Sequence, residues 1–279
     1  MLLDQYPMIV PGANAIKEYV RFYKMYGSAV RYAIVIQEII QSNKENLGYI
    51  FQDMIEEMQN RDKRLPVYLA CIGVSFDRGE RGNYKRSLYA TDNSEIEKFY
   101  KGDLSAYIEQ QVNFRFFLNL YTAFESTIAD FLCGEEERYT GRQAELLRHL
   151  PNRVAGLCQR FNVLTGMQSD TMTLEIIWKY YSLVRNLYLH TGGYVNKKFK
   201  DNLAKIKNDL HSIITNNDPL FLECAICDHP NNGFDLFQIE QCKEKSPFIL
   251  SDTNLTFFRS FIVGIWEAIY LELQQSKAK

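Results

Sequence analysis

The hydrophobic positions of this 279-residue chain follow a helical period over most of its length. Pro66 and Gly134 interrupt that pattern, as helix-breaking residues do. The predicted helices cover Asn14 to about Asn60, Leu104–Cys133, 142–150, 153–161, the stretch from a cap at 169–171 to His190, Lys197–Ile214 and Ser251–Leu273. We therefore predict a mainly α protein.

Alternating hydrophobic and polar residues predict two small β-hairpins between the helices. PVYLACIGVSF (66–76) and RSLYAT (86–91) are typical of strands, and RGERGNY (78–84) between them is typical of a turn. FLECAICD (221–228) and FDLFQIEQC (234–242) form a second such pair around the turn HPNNG.

The overall charge of the chain limits the kinds of partner that it can bind. The chain has 32 Lys and Arg against 34 Asp and Glu, a formal net charge of -2. It therefore lacks the global basic field of a non-specific nucleic-acid binder, and any RNA contact must be local. The N-terminus has Asp4 and no long apolar run, so we expect no signal peptide, no membrane partner and a cytoplasmic location.

The six cysteines suit reduced, buried thiols, with one group that could be read as a metal site. Cys224, Cys227, His229 and Cys242 are residue types that a tetrahedral zinc ion takes as ligands. Strand alternation in the same segment places the paired cysteines poorly for this, so we favour the hairpin and predict neither a metal nor a cofactor.

One predicted helix carries a narrow polar strip. At about 100° per residue, Lys179, Ser182, Asn186 and His190 lie within about 40° of one line. Hydrophobic residues flank this line, whereas a solvated helix face would be broad and mixed. The strip is therefore predicted to face a crevice or a subunit interface, with Arg185 reaching it from the side.

Arg185, Asn186 and His190 form an R-N-x-x-x-H motif directly before Gly192-Gly193. The motif resembles the R-x(4–6)-H motif of the HEPN superfamily (higher eukaryotes and prokaryotes nucleotide-binding). In NLYTAFESTIADFL, Glu125 stands where many members carry a polar residue facing the motif. The resemblance covers residues 101–279, and we predict an accessory helical region with a β-hairpin over residues 1–100.

The resemblance implies a four-helix bundle that dimerises so that two motifs form a metal-independent endoribonuclease. Members act as toxins, antiviral effectors and RNA-processing enzymes, and others are non-catalytic. We expect an effector of toxin or defence type, with RNA as substrate and a neutralising or activating protein partner.

Metal-free RNA cleavage requires a proton to be taken from the 2′-hydroxyl and another to be given to the leaving 5′-oxygen. His190 from each of two subunits would supply both groups near neutral pH. Arg185 would neutralise the phosphate and Asn186 would orient the imidazole or the phosphate. Ser182 would support them, with Glu125 as a further catalytic candidate.

The residues after the glycines predict a local track for single-stranded RNA. Lys197 and Lys198 would meet phosphates, and the interleaved aromatic residues Tyr194 and Phe199 would stack on bases. A solvated basic face is an equally good interpretation of these lysines.

Two alternatives stay open at this point. The first is a non-catalytic HEPN-like module that binds RNA, a nucleotide or a protein. The second is a helical adaptor whose polar strip only fixes the register of a dimer.

Overall fold

The computed structural model describes residues 8–43, 76–78, 84–86, 104–133, 143–167, 169–214 and 242–278. Most of these residues are helical, which confirms the predicted mainly α class. The helices are α1 (Lys17–Ser42), α2 (Leu104–Cys133), α3 (Leu150–Arg153), α4 (Leu157–Thr165), α5 (Thr171–Thr191), α6 (Lys197–Ile214) and α7 (Asp252–Ala278), with a 3-10 helix at Gln143–His149. None of the described helices is long and apolar enough to cross a membrane.

The bounds of α2 and α6 are those predicted from the hydrophobic period, and α7 continues past the predicted Leu273 to Ala278. A short antiparallel hairpin pairs β1 (Phe76–Arg78) with β2 (Tyr84–Arg86). It overlaps the first predicted hairpin at Phe76 and Arg86, whereas Arg78 and Tyr84 are predicted to belong to the turn. The rest of the two predicted strands lies outside the described residues. The second predicted hairpin at 221–242 and the helical prediction for 44–60 lie outside the described residues, apart from Cys242.

Contacts divide the chain into two compact units, residues 1–31 with 115–279 and residues 32–114. This division differs from the predicted boundary at residue 100, because the start of α1 packs within the first unit. There Arg259 of α7 is buried, donates to the Tyr26 hydroxyl at 3.1–3.2 Å and lies over the Tyr26 ring. In the second unit, Gln41 of α1 donates to Glu109 of α2 at 3.1 Å.

Two tryptophans lie at the centre of the first unit and join four of its helices. Trp266 of α7 stacks on Phe22 of α1 at 5.8 Å and donates its indole N–H to Thr127 of α2 at 3.2 Å. Trp178 of α5 stacks on Tyr121 of α2 with ring centroids 4.5 Å apart. Both tryptophans are fully buried, so α1, α2, α5 and α7 share one aromatic core.

The residues before α1 are tied to α7 by hydrogen bonds. Ile9 donates its backbone N–H to Glu267 at 2.7 Å and accepts from the Tyr19 hydroxyl at 2.7 Å. Gly12 donates to the Tyr270 hydroxyl at 3.1 Å. The described residues before α1 are therefore held against the core helix α7.

Candidate functional site

Helix α5 has a defined start and a defined end. The Asp170 side chain caps its N-terminus by accepting from the Thr173 backbone N–H at 2.7 Å. At the other end, Gly192 and Gly193 have φ of +64° and +90°, a conformation that glycine adopts without the penalty of a Cβ. Their N–H groups bond the carbonyls of Tyr188 and Leu187, so the helix closes just after His190.

The middle of α5 is buried against α2. Ser182, predicted to lie on the polar strip, is buried, and its hydroxyl is 2.9 Å from that of Tyr121. Burial raises the pKa of the Tyr121 hydroxyl well above its ordinary range, with the charge of Glu125 adding to the effect. The Tyr121 hydroxyl is therefore neutral. Ser182 lies inside the protein, where its hydrogen bond holds Tyr121 in place.

Arg185 is held between the buried middle of α5 and its exposed end. Its guanidinium carbon lies 5.7 Å from the centre of the Tyr121 ring, within the range of a cation–π contact. One guanidinium nitrogen donates to Asn186 Oδ1 at 2.9 Å. Arg185 thus does reach the strip from the side, and its orientation is fixed by a residue on another helix.

Glu125 lies one helical turn after Tyr121 on α2, near enough to Arg185 for the guanidinium charge to act on its carboxyl group. Burial raises the pKa of its carboxyl group, opposed by the charge of Arg185 and by the Tyr121 hydroxyl. Its Oε1 atom is buried without a hydrogen-bond partner among the described residues. The charge of Arg185 thus acts on Glu125, while the role of Glu125 in a site stays a prediction.

Asn186 and His190 are exposed, unlike Ser182 on the same strip. Leu189, which flanks the strip beside them, exposes 51% of its area although it is apolar. Lys179, at the buried end of the strip, forms an ion pair with Glu175 at 2.7 Å. The strip is therefore most open to solvent around Asn186 and His190, while Lys179 is half-buried.

Comparisons with protein-family models, curated proteins and solved structures find nothing that matches this chain. Its function is therefore inferred from the residues around the motif and from their geometry.

The segment after the glycines is only partly arranged as predicted. Lys197 and Lys198 are exposed on the first turn of α6, where Asn196 Oδ1 accepts the Phe199 N–H at 2.8 Å. Tyr194 is half-buried. The prediction that Phe199 stacks on bases is wrong, because Phe199 is 3% exposed and belongs to the core.

The residues of the possible zinc site lie mostly beyond the described ranges. Cys224, Cys227 and His229 fall there, whereas Cys242 is buried with a reduced thiol. Within the described ranges, no three His, Cys, Asp or Glu side chains are grouped as a metal site requires. Zinc therefore stays the disfavoured alternative, and the hairpin without a metal stays the prediction.

The chain contains a second match to the loose R-x(4–6)-H spacing, from Arg142 to His149, without an asparagine after the arginine. His149 is exposed at the start of α3, and Arg142 lies outside the described residues. His149 is therefore a natural comparison residue for His190.

Tyr121 is the site residue that sequence reasoning missed. Its hydroxyl meets Ser182, and its ring lies under Arg185. A signal was present, because Tyr121 and Glu125 are four residues apart on a helix and so share a face.

Proposed function

We propose that this chain is a metal-independent endoribonuclease of HEPN type, whose shared core of α1, α2, α5 and α7 serves as the HEPN-like bundle. The observation that carries the proposal is the exposure of His190 and Asn186 at the end of a helix whose middle is buried, beside an oriented arginine. A histidine with only a packing role would be expected in the buried part of the same helix.

The chemistry divides among three side chains of the motif. One His190 would take the proton of the 2′-hydroxyl as its oxygen attacks the adjacent phosphorus, and a second His190 would protonate the departing 5′-oxygen. Arg185 would stabilise the charge on the non-bridging oxygens with its fork of donors. Asn186 accepts a hydrogen bond from Arg185, so its role would be to orient the Arg185 guanidinium. Glu125 would act on the same guanidinium through its charge.

Two histidines at one phosphate require two copies of the chain, since the motif supplies one. The exposed Leu189 supports this, because burying an exposed apolar side chain beside the motif against a partner is favourable. A homodimer whose two-fold axis passes near Leu189 would bring the motifs together.

The test is cleavage of total cellular RNA by wild-type protein, His190→Ala and the matched His149→Ala variant, with a metal chelator present. We expect wild type and His149→Ala to leave 2′,3′-cyclic phosphate ends, and His190→Ala to be slower by about 10²–10⁴-fold. Equal cleavage by His190→Ala, or loss of all cleavage when the chelator is added, would refute the proposal.

Intact RNA in every sample, with RNA still bound by the wild type, would favour the non-catalytic binding module instead. If Arg185→Ala changed the oligomeric state without changing RNA affinity, the adaptor alternative would hold. A toxin or defence role, a controlling protein partner and a cytoplasmic location follow from the proposed activity and are tested only after it.

A further inference from the structure

Two chain segments that are far apart in sequence meet just beyond the end of α5. Tyr194 forms an antiparallel bridge with Pro247. Lys245 donates its N–H to the Val195 carbonyl at 2.8 Å, and Val195 donates to the Ser246 carbonyl at 2.9 Å. The turn at 243–246 therefore lies directly beside the segment that leads into α6.

Aromatic side chains fix this pairing to α5 and α6. The Tyr188 hydroxyl of α5 donates to the Phe248 carbonyl at 2.7 Å. The Phe248 ring meets that of Phe199 of α6 edge-on at 5.5 Å, and both rings are buried. The position of the 243–246 turn is thus set by the same turn of α5 that carries His190.

The pairing joins two segments that both carry exposed lysines. Lys243 and Lys245 are exposed on the turn, as Lys197 and Lys198 are on α6. None of the four forms an ion pair with any residue in the described ranges, and Glu244 is the one acidic residue in the turn. In a chain with a formal net charge of -2, this is a local concentration of positive charge.

Lys245 occupies a backbone conformation that disfavours lysine. Its φ is +64°, and it is the one residue other than glycine with positive φ among those the structure describes. Asparagine or glycine would adopt this conformation at lower cost. The N–H of Lys245 and the Ser246 hydroxyl, which donates to the Lys243 carbonyl at 2.6 Å, hold the turn in this form.

We propose that Lys243 and Lys245 complete, with Lys197 and Lys198, a phosphate-binding surface that holds the backbone of single-stranded RNA beside His190. This inference rests on the proposed function and adds the substrate contacts that the sequence does not show. Ammonium groups bind phosphates as point charges without reading bases. Since Phe199 is buried and Tyr194 half-buried, the surface offers little stacking, so binding is salt-dependent and weakly sequence-selective.

The test measures the affinity of a fluorescein-labelled single-stranded RNA by anisotropy over a range of salt concentrations. All proteins carry His190→Ala so that the RNA stays intact. Lys243→Gln with Lys245→Asn removes two charges and keeps a residue that tolerates positive φ. The matched control, Lys24→Gln with Arg148→Gln, removes two charges from exposed positions on α1 and the 3-10 helix.

We expect the Lys243/Lys245 variant to raise the Kd about tenfold and to lower the salt slope by roughly 1.4, or about 0.7 for each phosphate that is no longer neutralised. The control should stay within about twofold, because screened charges elsewhere contribute little. Both double variants should have the same melting temperature as the parent protein.

Equal losses in the two doubles, no loss in either, or no RNA binding by the parent would overturn the inference. Competition by poly-glutamate as strong as that by RNA would also overturn it, in favour of an acidic protein partner. Cleavage by protein with His190 intact is scored separately. If RNA binds through these lysines but is not cut, the proposed nuclease activity is wrong and the phosphate-binding surface stands. If RNA is cut but the Lys243/Lys245 variant binds it with unchanged affinity, the surface is wrong and the nuclease activity stands.

Discussion

Ser182 and His190 lie on the same side of α5, two turns apart, yet their surroundings differ. Ser182 is buried and bonded to Tyr121, next to the stacked pair of Tyr121 and Trp178. His190 is exposed and lies two residues before Gly192, at the helix end. The buried half fixes the direction of the helix, and this leaves the exposed half free to serve a function that packing does not require.

Arg185 lies at the boundary between the buried half and the exposed half of α5. Its contact with the Tyr121 ring belongs to the buried half, and its hydrogen bond to Asn186 belongs to the exposed half. Substitutions in the two halves should therefore separate stability from activity, with Arg185 sensitive to both.

The largest expected difference is between Trp178→Ala and His190→Ala. Removing the buried indole leaves a cavity and ends its stacking on Tyr121, so we expect a loss of about 3–5 kcal/mol in the free energy of unfolding. His190→Ala should change that free energy by no more than about 0.5 kcal/mol. Denaturant titrations measure both. A large destabilisation by His190→Ala would mean that the exposed half is structural after all.

The next largest effect on stability is expected from substitutions of Gly192 and Gly193. Comparing the two separates the cost of a positive φ from the cost of a steric clash. A Cβ on Gly193 would lie 2.6 Å from the Tyr188 ring, whereas one on Gly192 would meet nothing within 4 Å. Both residues have positive φ. We expect Gly193→Ala to cost about 3 kcal/mol, from strain and overpacking, and Gly192→Ala about 1 kcal/mol, from strain alone.

Thermal and denaturant unfolding of the two variants would measure this ordering. Gly192→Asn serves as the control, because asparagine tolerates positive φ better than alanine. If both alanine variants cost the same, the contact between Gly193 and Tyr188 would not restrict the helix end.

A smaller effect is expected from the bond between Tyr121 and Ser182. Tyr121→Phe keeps the ring under Arg185 and leaves the buried Ser182 hydroxyl without this partner, at a cost of about 1–2 kcal/mol. Ser182→Ala should cost a similar amount. The double variant should cost less than the sum, with a coupling energy of about 1 kcal/mol.

Additive costs in that cycle would show that the two hydroxyls do not depend on each other. RNA cleavage by Tyr121→Phe adds a second readout. It should stay close to wild type if the ring alone positions Arg185, which separates the effect of the ring from that of the hydroxyl.

The elements of this site were predictable from the sequence to the extent that their signals are local. The bounds of α5 follow from Asp170 as a cap and from the glycine pair, both of which are visible in the sequence. The error at Phe199 was avoidable too. Phe199, Leu203 and Leu210 repeat at helical spacing and are all buried, so they mark the core face of α6.

Other parts of the site depend on contacts between distant segments. Tyr121 meets Ser182 across 61 residues of chain. The turn with Lys243 and Lys245 reaches Val195 through backbone bonds that no spacing rule predicts. Helical periodicity shows which face of a helix is buried, but not which neighbour buries it. The approach of Lys243 and Lys245 to the start of α6 is therefore invisible in the sequence.

The smallest expected effect concerns Glu125 and tests how far the charge of Arg185 reaches into the buried half. Burial raises the pKa of this carboxyl above its ordinary value of 4.5, so the folded chain binds the proton more tightly than the unfolded chain. The resulting stabilisation is fully present below pH 4.5 and is lost as the pH rises through the raised pKa. Relative to wild type, Glu125→Gln should therefore gain stability as the pH rises above that value.

Arg185 opposes this shift, so removing its charge should strengthen it. In an Arg185→Gln background, the gain of Glu125→Gln over its parent should rise more steeply with pH than in the wild-type background. Glu267→Gln is the control, because burial also raises the pKa of Glu267, and that shift is opposed by the hydrogen bond from the Ile9 N–H and not by the charge of Arg185. Its pH dependence should be the same in both backgrounds. If Glu125→Gln instead lost stability relative to wild type as the pH rose, the attraction of Arg185 would outweigh burial, and the ionised Glu125 would belong with the charged, exposed end of α5.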